Sequence, residues 1–354
     1  MKNSLDFKIP FTQFGSTNFI NCFASTYMFL EKIGVKNAFK CKKQADGNCN
    51  YCGRCSNEQT QYYFLFHTMS GGCSARCSSD GTKTEMQKFA DPDSEDGGTN
   101  GTIDFLFGFA GYEYRKCADK NVFKNEVKAS IDAGVPVIAR AKSNVQGHFR
   151  VITGYDGDAL INPDYANALQ QPKDMPTYDD LEVLYIFGEK TAPRYTLKDG
   201  LERIRHVMEH DIRAKIWDGH IEKVHSNIDG VWKLRKRSIK QTEFLKLDAV
   251  ICIWFCHTFK ETFMHTYHEE LRNPALSEIR NKVEVLCNKL HDHGHAINFL
   301  NLALKYGIDA NIYNPAAVSG MNEMVWNTLK AVKQLDVELL EVIKQGIDIL
   351  KEEN

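Results

Sequence analysis

Three residues far apart in the chain have the types that nucleophilic acyl chemistry needs. They are Cys22 in "FINCFAS", His148 in "GHFRVITGYD" and Asn162 in "ALINPD". A thiolate attacks a carbonyl, an imidazole takes the thiol proton and returns it to the leaving group, and a third polar group orients the imidazole. Cys22 falls at the predicted start of a helix, where unpaired backbone N–H groups favour thiolate over thiol. His148 opens a predicted strand, and Asn162 lies on the next arm of the same predicted hairpin, so imidazole and amide are expected to meet across the ladder. Singly, each has an ordinary reading: a buried cysteine is usually a small core residue, and a strand-end histidine is usually satisfied by backbone. The combination in this order shifts the balance toward catalysis. Asp164 and Asp158 are alternatives for the third member.

The elements that must position these residues follow from periodicity. "INCFASTYMFLEKIGV" has apolar residues at helical spacing, Ile20, Phe23, Tyr27, Leu30 and Ile33, with Asn21 as a candidate N-cap and Gly34 as a stop. A second helix is expected over Asn125–Gly134. Strands are expected over Pro136–Lys142, His148–Asp156, Ala159–Pro163 and Glu182–Gly188, with Gly157-Asp158 turning the central hairpin. From about Leu197 nearly every segment reads as helix: Lys198–Lys215, Ile216–Arg235, Ile239–Glu269, Pro274–Leu290, His295–Tyr306 and Asn322–Lys351. The expected organisation is an α+β domain over residues 1–193, with a Cys-rich insertion at about 40–100, and an all-α domain over 197–354.

"NCFASTYMFLEKIG" followed by "GHFRVITGYDGDALINPD" resembles the papain-like cysteine domain of the bacteriocin-processing (double-glycine leader) peptidases. It also resembles the N-terminal domain of butirosin biosynthesis protein H and its relatives. The resemblance covers roughly residues 15–190. It implies a papain-like fold with an antiparallel sheet, with Cys22 as nucleophile, His148 as base and Asn162 in place of the usual Asp before Pro. The peptidases carry an oxyanion-hole Gln six residues before the Cys. Here that position is Ser16, which leaves Gln13, Asn18 and Asn21 as candidate donors. The butirosin-type relatives imply acyl transfer from a carrier-protein thioester to an amine. The same fold also serves peptidases and amidases. A third reading is a metal-containing binding protein that has kept the fold and lost the chemistry.

"CKKQADGNCNYCGRC" supplies Cys41, Cys49, Cys52 and Cys55, and "GGCSARC" adds Cys73 and Cys77. Overlapping Cys-x-x-Cys units in a Gly- and Asn-rich loop point to a structural zinc on Cys41, Cys49, Cys52 and Cys55, with Cys73 or Cys77 able to replace one. An iron–sulfur run would want a fourth Cys soon after Cys55, and Ser56 and Asn57 follow instead. Free thiols are the plainer reading. In the helical half, His257, Glu261, His265 and His268 form one stripe, and "HDHGH" adds His291, His293 and His295. Such residues more often cap helices than hold metal. The basic run "KLRKRSIK" (Lys233–Lys240) is the expected docking face if the acyl donor arrives on an acidic carrier protein.

Composition excludes several classes. The chain has 354 residues, 43% hydrophobic and 25% charged, with a net charge of −2. Such a near-neutral balance gives no reason to expect nucleic acid. No apolar run approaches the ~20 residues of a membrane span. The first residues lack the apolar stretch of a signal peptide, so the 11 cysteines are expected in a reducing compartment, the cytoplasm. The expected partners are an acyl donor and an amine or peptide substrate, with no nucleic acid and no membrane.

Overall fold

Alternating side chains along four strands build the sheet that organises the first half of the chain. In the computed structural model the described residues are 2–9, 18–33, 58–80, 82–92, 101–142, 149–162, 177–226, 256, 258–264, 268–309 and 315–352. Their elements begin with β1 (Lys2–Ser4), α1 (Asn18–Leu30), α2 (Glu58–Met69), α3 (Glu85–Ala90), α4 (Thr102–Ala110), β2 (Tyr112–Cys117) and α5 (Phe123–Asp132). Next come β3 (Val137–Ala141), β4 (Phe149–Ile152), β5 (Gly154–Asp156), β6 (Ala159–Ile161) and β7 (Leu181–Lys190). The helices α6 (Leu197–Arg213), α7 (Ile216–Ser226), α8 (Ser277–Asp309) and α9 (Pro315–Glu352) follow. The chain divides into two compact units, Met1–Phe66 with Asp91–Thr196, and His67–Ala90 with Leu197–Asn354. The division falls inside α2.

In the first unit four antiparallel strands run in the order β2-β7-β3-β4, and a three-stranded sheet has the order β1-β5-β6. The period of two sorts the side chains of the larger sheet to its faces. Val137, Ala139, Leu184 and Ile186 pack with Phe123, Val127 and Ile131 of α5. Tyr185 and Phe187 face the other way, onto Phe19 and Phe23 of α1. Helices therefore cover both faces, as an apolar sheet requires.

The expected strand His148–Asp156 is split in two. Thr153 separates β4, in the large sheet, from β5, in the small one. Its N–H donates to the Ile161 carbonyl at 2.8 Å, and its own carbonyl accepts from Leu5 N–H at 2.8 Å. Gly154 lets this corner form: a Cβ there would lie 2.6 Å from the Asn3 carbonyl and 2.8 Å from Ser4 Cα. The β5–β6 hairpin turns at Gly157-Asp158 as expected, with Gly157 at φ 59°.

The second unit is helical. The helices α8 and α9 pack along each other, and α6 and α7 pack on α9. The two helices expected over Pro274–Leu290 and His295–Tyr306 are one continuous helix, α8. Gly294 lies within this helix and is buried; its intrinsic penalty of ~1 kcal/mol is small beside the packing of the surrounding turns. A buried ion pair ties residue 76 to the last helix. The Arg76 guanidinium donates from Nε and Nη2 to both carboxylate oxygens of Asp336, at 2.8 and 2.6 Å. Trp217 Nε1–H donates to Asp336 Oδ2 at 2.6 Å, and Arg76 N–H donates to Asp211 Oδ2 at 2.7 Å. No described helix is long and apolar enough to cross a membrane.

Candidate active site

The helix that carries Cys22 is held in place by aromatic rings. Phe19 meets Phe149 edge-on at 5.1 Å and Tyr185 at 5.4 Å. One turn later Phe23 meets Phe66 and Phe107, both edge-on at 4.9 Å. Both side chains are fully buried, and each contributes roughly 1.5–3 kcal/mol by burial alone. The far end of α1 is pinned through Glu31, which accepts from Tyr112 Oη and Lys190 Nζ, each at 2.6 Å. These partners hold the Glu31 carboxyl below its ordinary value against the opposing effect of its burial. The helix closes at Lys32, left-handed at φ 54°, with Ile33 N–H donating to the Met28 carbonyl at 2.9 Å. Gly34, the expected stop, lies outside the described residues.

Cys22 is the fifth residue of α1 and is buried, 1% exposed. The helix begins three residues before Asn21, so Asn21 is not its N-cap. It is instead a buried helical residue whose Oδ1 accepts from Gln59 Nε2 at 2.9 Å. The same Gln59 amide donates to Ser25 Oγ at 3.2 Å. Asn21 and Ser25 lie one turn apart, so a single glutamine of α2 clamps one polar edge of α1 beside Cys22. Gln59 has no exposure, and its Oε1 has no hydrogen-bond partner among the described residues. Sequence reasoning passed over Gln59; the signal available was the Asn21/Ser25 pair at i, i+4 in a largely apolar helix.

Phe149, the first residue of β4, packs on α1, and position 148 immediately precedes it. His148 itself lies outside the described residues, as do Gln13 and Asp164. Asn18 is the first residue of α1. Asn162 follows β6 and is half-buried. Its Oδ1 is buried and has no hydrogen-bond partner among the described residues. Asp158 is exposed in the hairpin turn, and its ion pair with Lys124 lowers its carboxyl below the usual range. Tyr185, whose ring lies against both Phe19 and Phe149, is 1% exposed, and its hydroxyl also has no hydrogen-bond partner among the described residues. Burial pushes that phenol up to about 12.

Cys41, Cys49, Cys52 and Cys55 lie outside the described residues. Cys73 is buried against Thr68, whose Oγ1 is 3.4 Å from its sulfur, and burial pushes its thiol up to about 12. Cys77 Sγ accepts from Gln87 Nε2 at 3.2 Å. Among the described residues no three His, Cys, Asp or Glu side chains gather as a metal would need. His257 and His265 and the basic run 233–240 fall outside the described residues.

Residues 36–184 match the family model described as the Peptidase_C39 like family. The match covers less than half of the chain. It spans His148 and Asn162 and begins downstream of Cys22. No curated protein matches the chain. The match supports a cysteine peptidase-type domain, and the antiparallel sheet with flanking helices, followed by a helical region, is a papain-like α+β architecture with helices after it.

Proposed function

We propose that the chain transfers acyl groups through a thioester on Cys22. The observation that carries this reading is the packing of the Cys22 helix on the strand beside His148, through Phe19 and Phe149 at 5.1 Å. In the first half-reaction Cys22 Sγ attacks the carbonyl carbon of a thioester, ester or amide. His148 takes the thiol proton as the carbon–sulfur bond forms, and gives it to the leaving group as the bond between that group and the carbonyl carbon breaks. In the second, an amine attacks the acyl-enzyme: the carbon–nitrogen bond forms, the carbon–sulfur bond breaks, and His148 passes the amine's proton to the Cys22 sulfur, which restores the thiol. Asn162 holds the imidazole; a buried carboxamide oxygen without a donor among the described residues supports that role. Gln13 and Asn18 are the candidate oxyanion donors, and Asp164 is the alternative third member. The donor is an acyl group on an acyl carrier protein, and the acceptor is an amine or peptide. A zinc on Cys41, Cys49, Cys52 and Cys55, with Cys73 or Cys77 as a replacement ligand, would be structural. A cytoplasmic location fits the thiol content.

A second reading, hydrolysis of a peptide or amide by the same residues, is favoured by the match to a peptidase family. Water then replaces the amine. Both readings share the Cys22 acyl-enzyme, so that species is the test. Iodoacetamide at neutral pH should label Cys22 ahead of the other thiols, and 4-nitrophenyl acetate should leave one acetyl group on it by intact mass. Because Cys22 is buried, both rates also report how readily its surroundings open. Cys22→Ala should abolish acylation with the fold intact. His148→Ala should be comparably damaging, and Asn162→Ala less so, by roughly tens-fold. Equal labelling of all thiols, or acylation that survives Cys22→Ala, would remove Cys22 from the reaction. A larger loss in Asp164→Ala than in Asn162→Ala would move the third role to Asp164.

A further inference from the structure

Away from the Cys22 helix, α8 presents two imidazoles one above the other. His291 and His295 stand at i and i+4, where helical side chains share a face. Their ring centroids are 4.4 Å apart with the planes at 87°. His295 is exposed and His291 partly exposed, while Leu290 and Ile297 on either side are buried and anchor this stretch of helix. His293 is two residues from each and falls on a different side of the helix.

We propose that His291 and His295 form a two-nitrogen chelate for a divalent transition-metal ion of the nickel, copper or zinc class. Imidazole nitrogen suits these ions, which bind it at about 2.0–2.1 Å. Two histidines at i, i+4 on one helix face are the spacing by which a helical His pair grips zinc. The backbone is already fixed, so chelation orders only the two rings. Side-chain rotation can aim one nitrogen of each edge-to-face ring at a shared ion, and His295 has open solvent in which to turn. Among the described residues no third His, Cys, Asp or Glu joins the pair, and an external chelator can complete the ion's coordination. The nearest sulfur along the helix does not compete: Cys287, one turn earlier, is buried, and burial holds its thiol well above its ordinary value.

The proposal stands apart from the acyl-transfer reading and is tested without it. The probe is Ni2+–iminodiacetate, which leaves adjacent positions for two imidazoles, titrated calorimetrically into the full-length, tag-free chain at pH 7.5. One equivalent should bind. His291→Ala and His295→Ala should each weaken binding by roughly 10²-fold or more, because loss of one ligand removes the chelate. His293→Ala should bind as the wild type does. Alanine is the best helix former, so the variants keep α8, and circular dichroism checks it. No binding by the wild type, unchanged binding in both variants, or an equal loss in His293→Ala overturns the proposal.

Discussion

Asp211→Asn should stabilise the helical unit at pH 8 and leave it nearly unchanged at pH 4. The Asp211 carboxyl is 4% exposed. Its Oδ2 accepts from Arg76 N–H, and its Oδ1 has no hydrogen-bond partner among the described residues. Burial raises it from 3.8 to about 6; Arg76 and His210 pull it down, and Asp336 adds to the rise. His210 Nδ1 lies 3.7 Å from Asp211 Oδ1, and His210 Nε2 lies 3.2 Å from Glu85. A native value above the unfolded one means that the folded state holds the proton more tightly. The stabilisation is fully present below about pH 4 and is lost as pH rises through about 6. About two pKa units correspond to on the order of 3 kcal/mol. Asparagine keeps a carbonyl acceptor for Arg76 N–H and never ionises. The difference between urea melts of variant and wild type should therefore grow by up to that amount between pH 4 and pH 8, other titrations cancelling in the subtraction. A difference that does not vary with pH refutes the reasoning. So does a variant less stable than wild type at pH 8, since Arg76 would then outweigh desolvation.

Two further perturbations probe the unit that holds Cys22. Tyr185→Phe removes a buried hydroxyl with no hydrogen-bond partner among the described residues, so stability in urea should hold or rise by about 1–2 kcal/mol; a loss above 1 kcal/mol would mean that the hydroxyl is bonded. Gly154→Ala forces a Cβ onto the backbone of β1 and should cost about 1–3 kcal/mol, with faster amide exchange at Ser4 and Leu5; unchanged exchange there would contradict the close approach.

What was legible in the sequence depended on how evenly each element is buried. The strands from Val137 to Lys190 alternate between two faces or end at Asp-Gly, and their pattern survives in one dimension. In α2, Tyr63, Phe64, Leu65 and Phe66 are all buried, and in α4 Ile103, Phe105, Leu106, Phe107 and Phe109 are. A helix buried on every side has no 3.6-residue period to read. Both were therefore missed inside or beside a stretch judged by its cysteines and glycines. Asn21 looked like a cap because polar residues near a helix start usually are; its real partner, Gln59, is 38 residues downstream, where no local rule reaches. The gap expected between Leu290 and His295 is bridged by helix, because packing against α9 outweighs the intrinsic penalty of Gly294. Of the proposed site, the helix under Cys22 and the strand after position 148 were readable, because both rest on periodicity.

The interleaving of the two units has a consequence for how the chain is made. Arg76 enters the helical unit through a segment, His67–Ala90, that leaves the ribosome well before the rest of that unit. Its carboxylate partner Asp336 is 260 residues further on. At about 5–20 residues per second, the guanidinium waits on the order of ten seconds to a minute for that carboxylate. Within that interval the first unit can complete its sheet once β7, which ends at Lys190, has left the ribosome, while residues 67–90 stay attached to it through α2 as an unfinished strap. A nascent chain stalled at residue 196 would therefore present Arg76, Cys73 and Cys77 without their helical partners. It is the stage of synthesis at which a holding chaperone or an oxidant would find this protein most accessible.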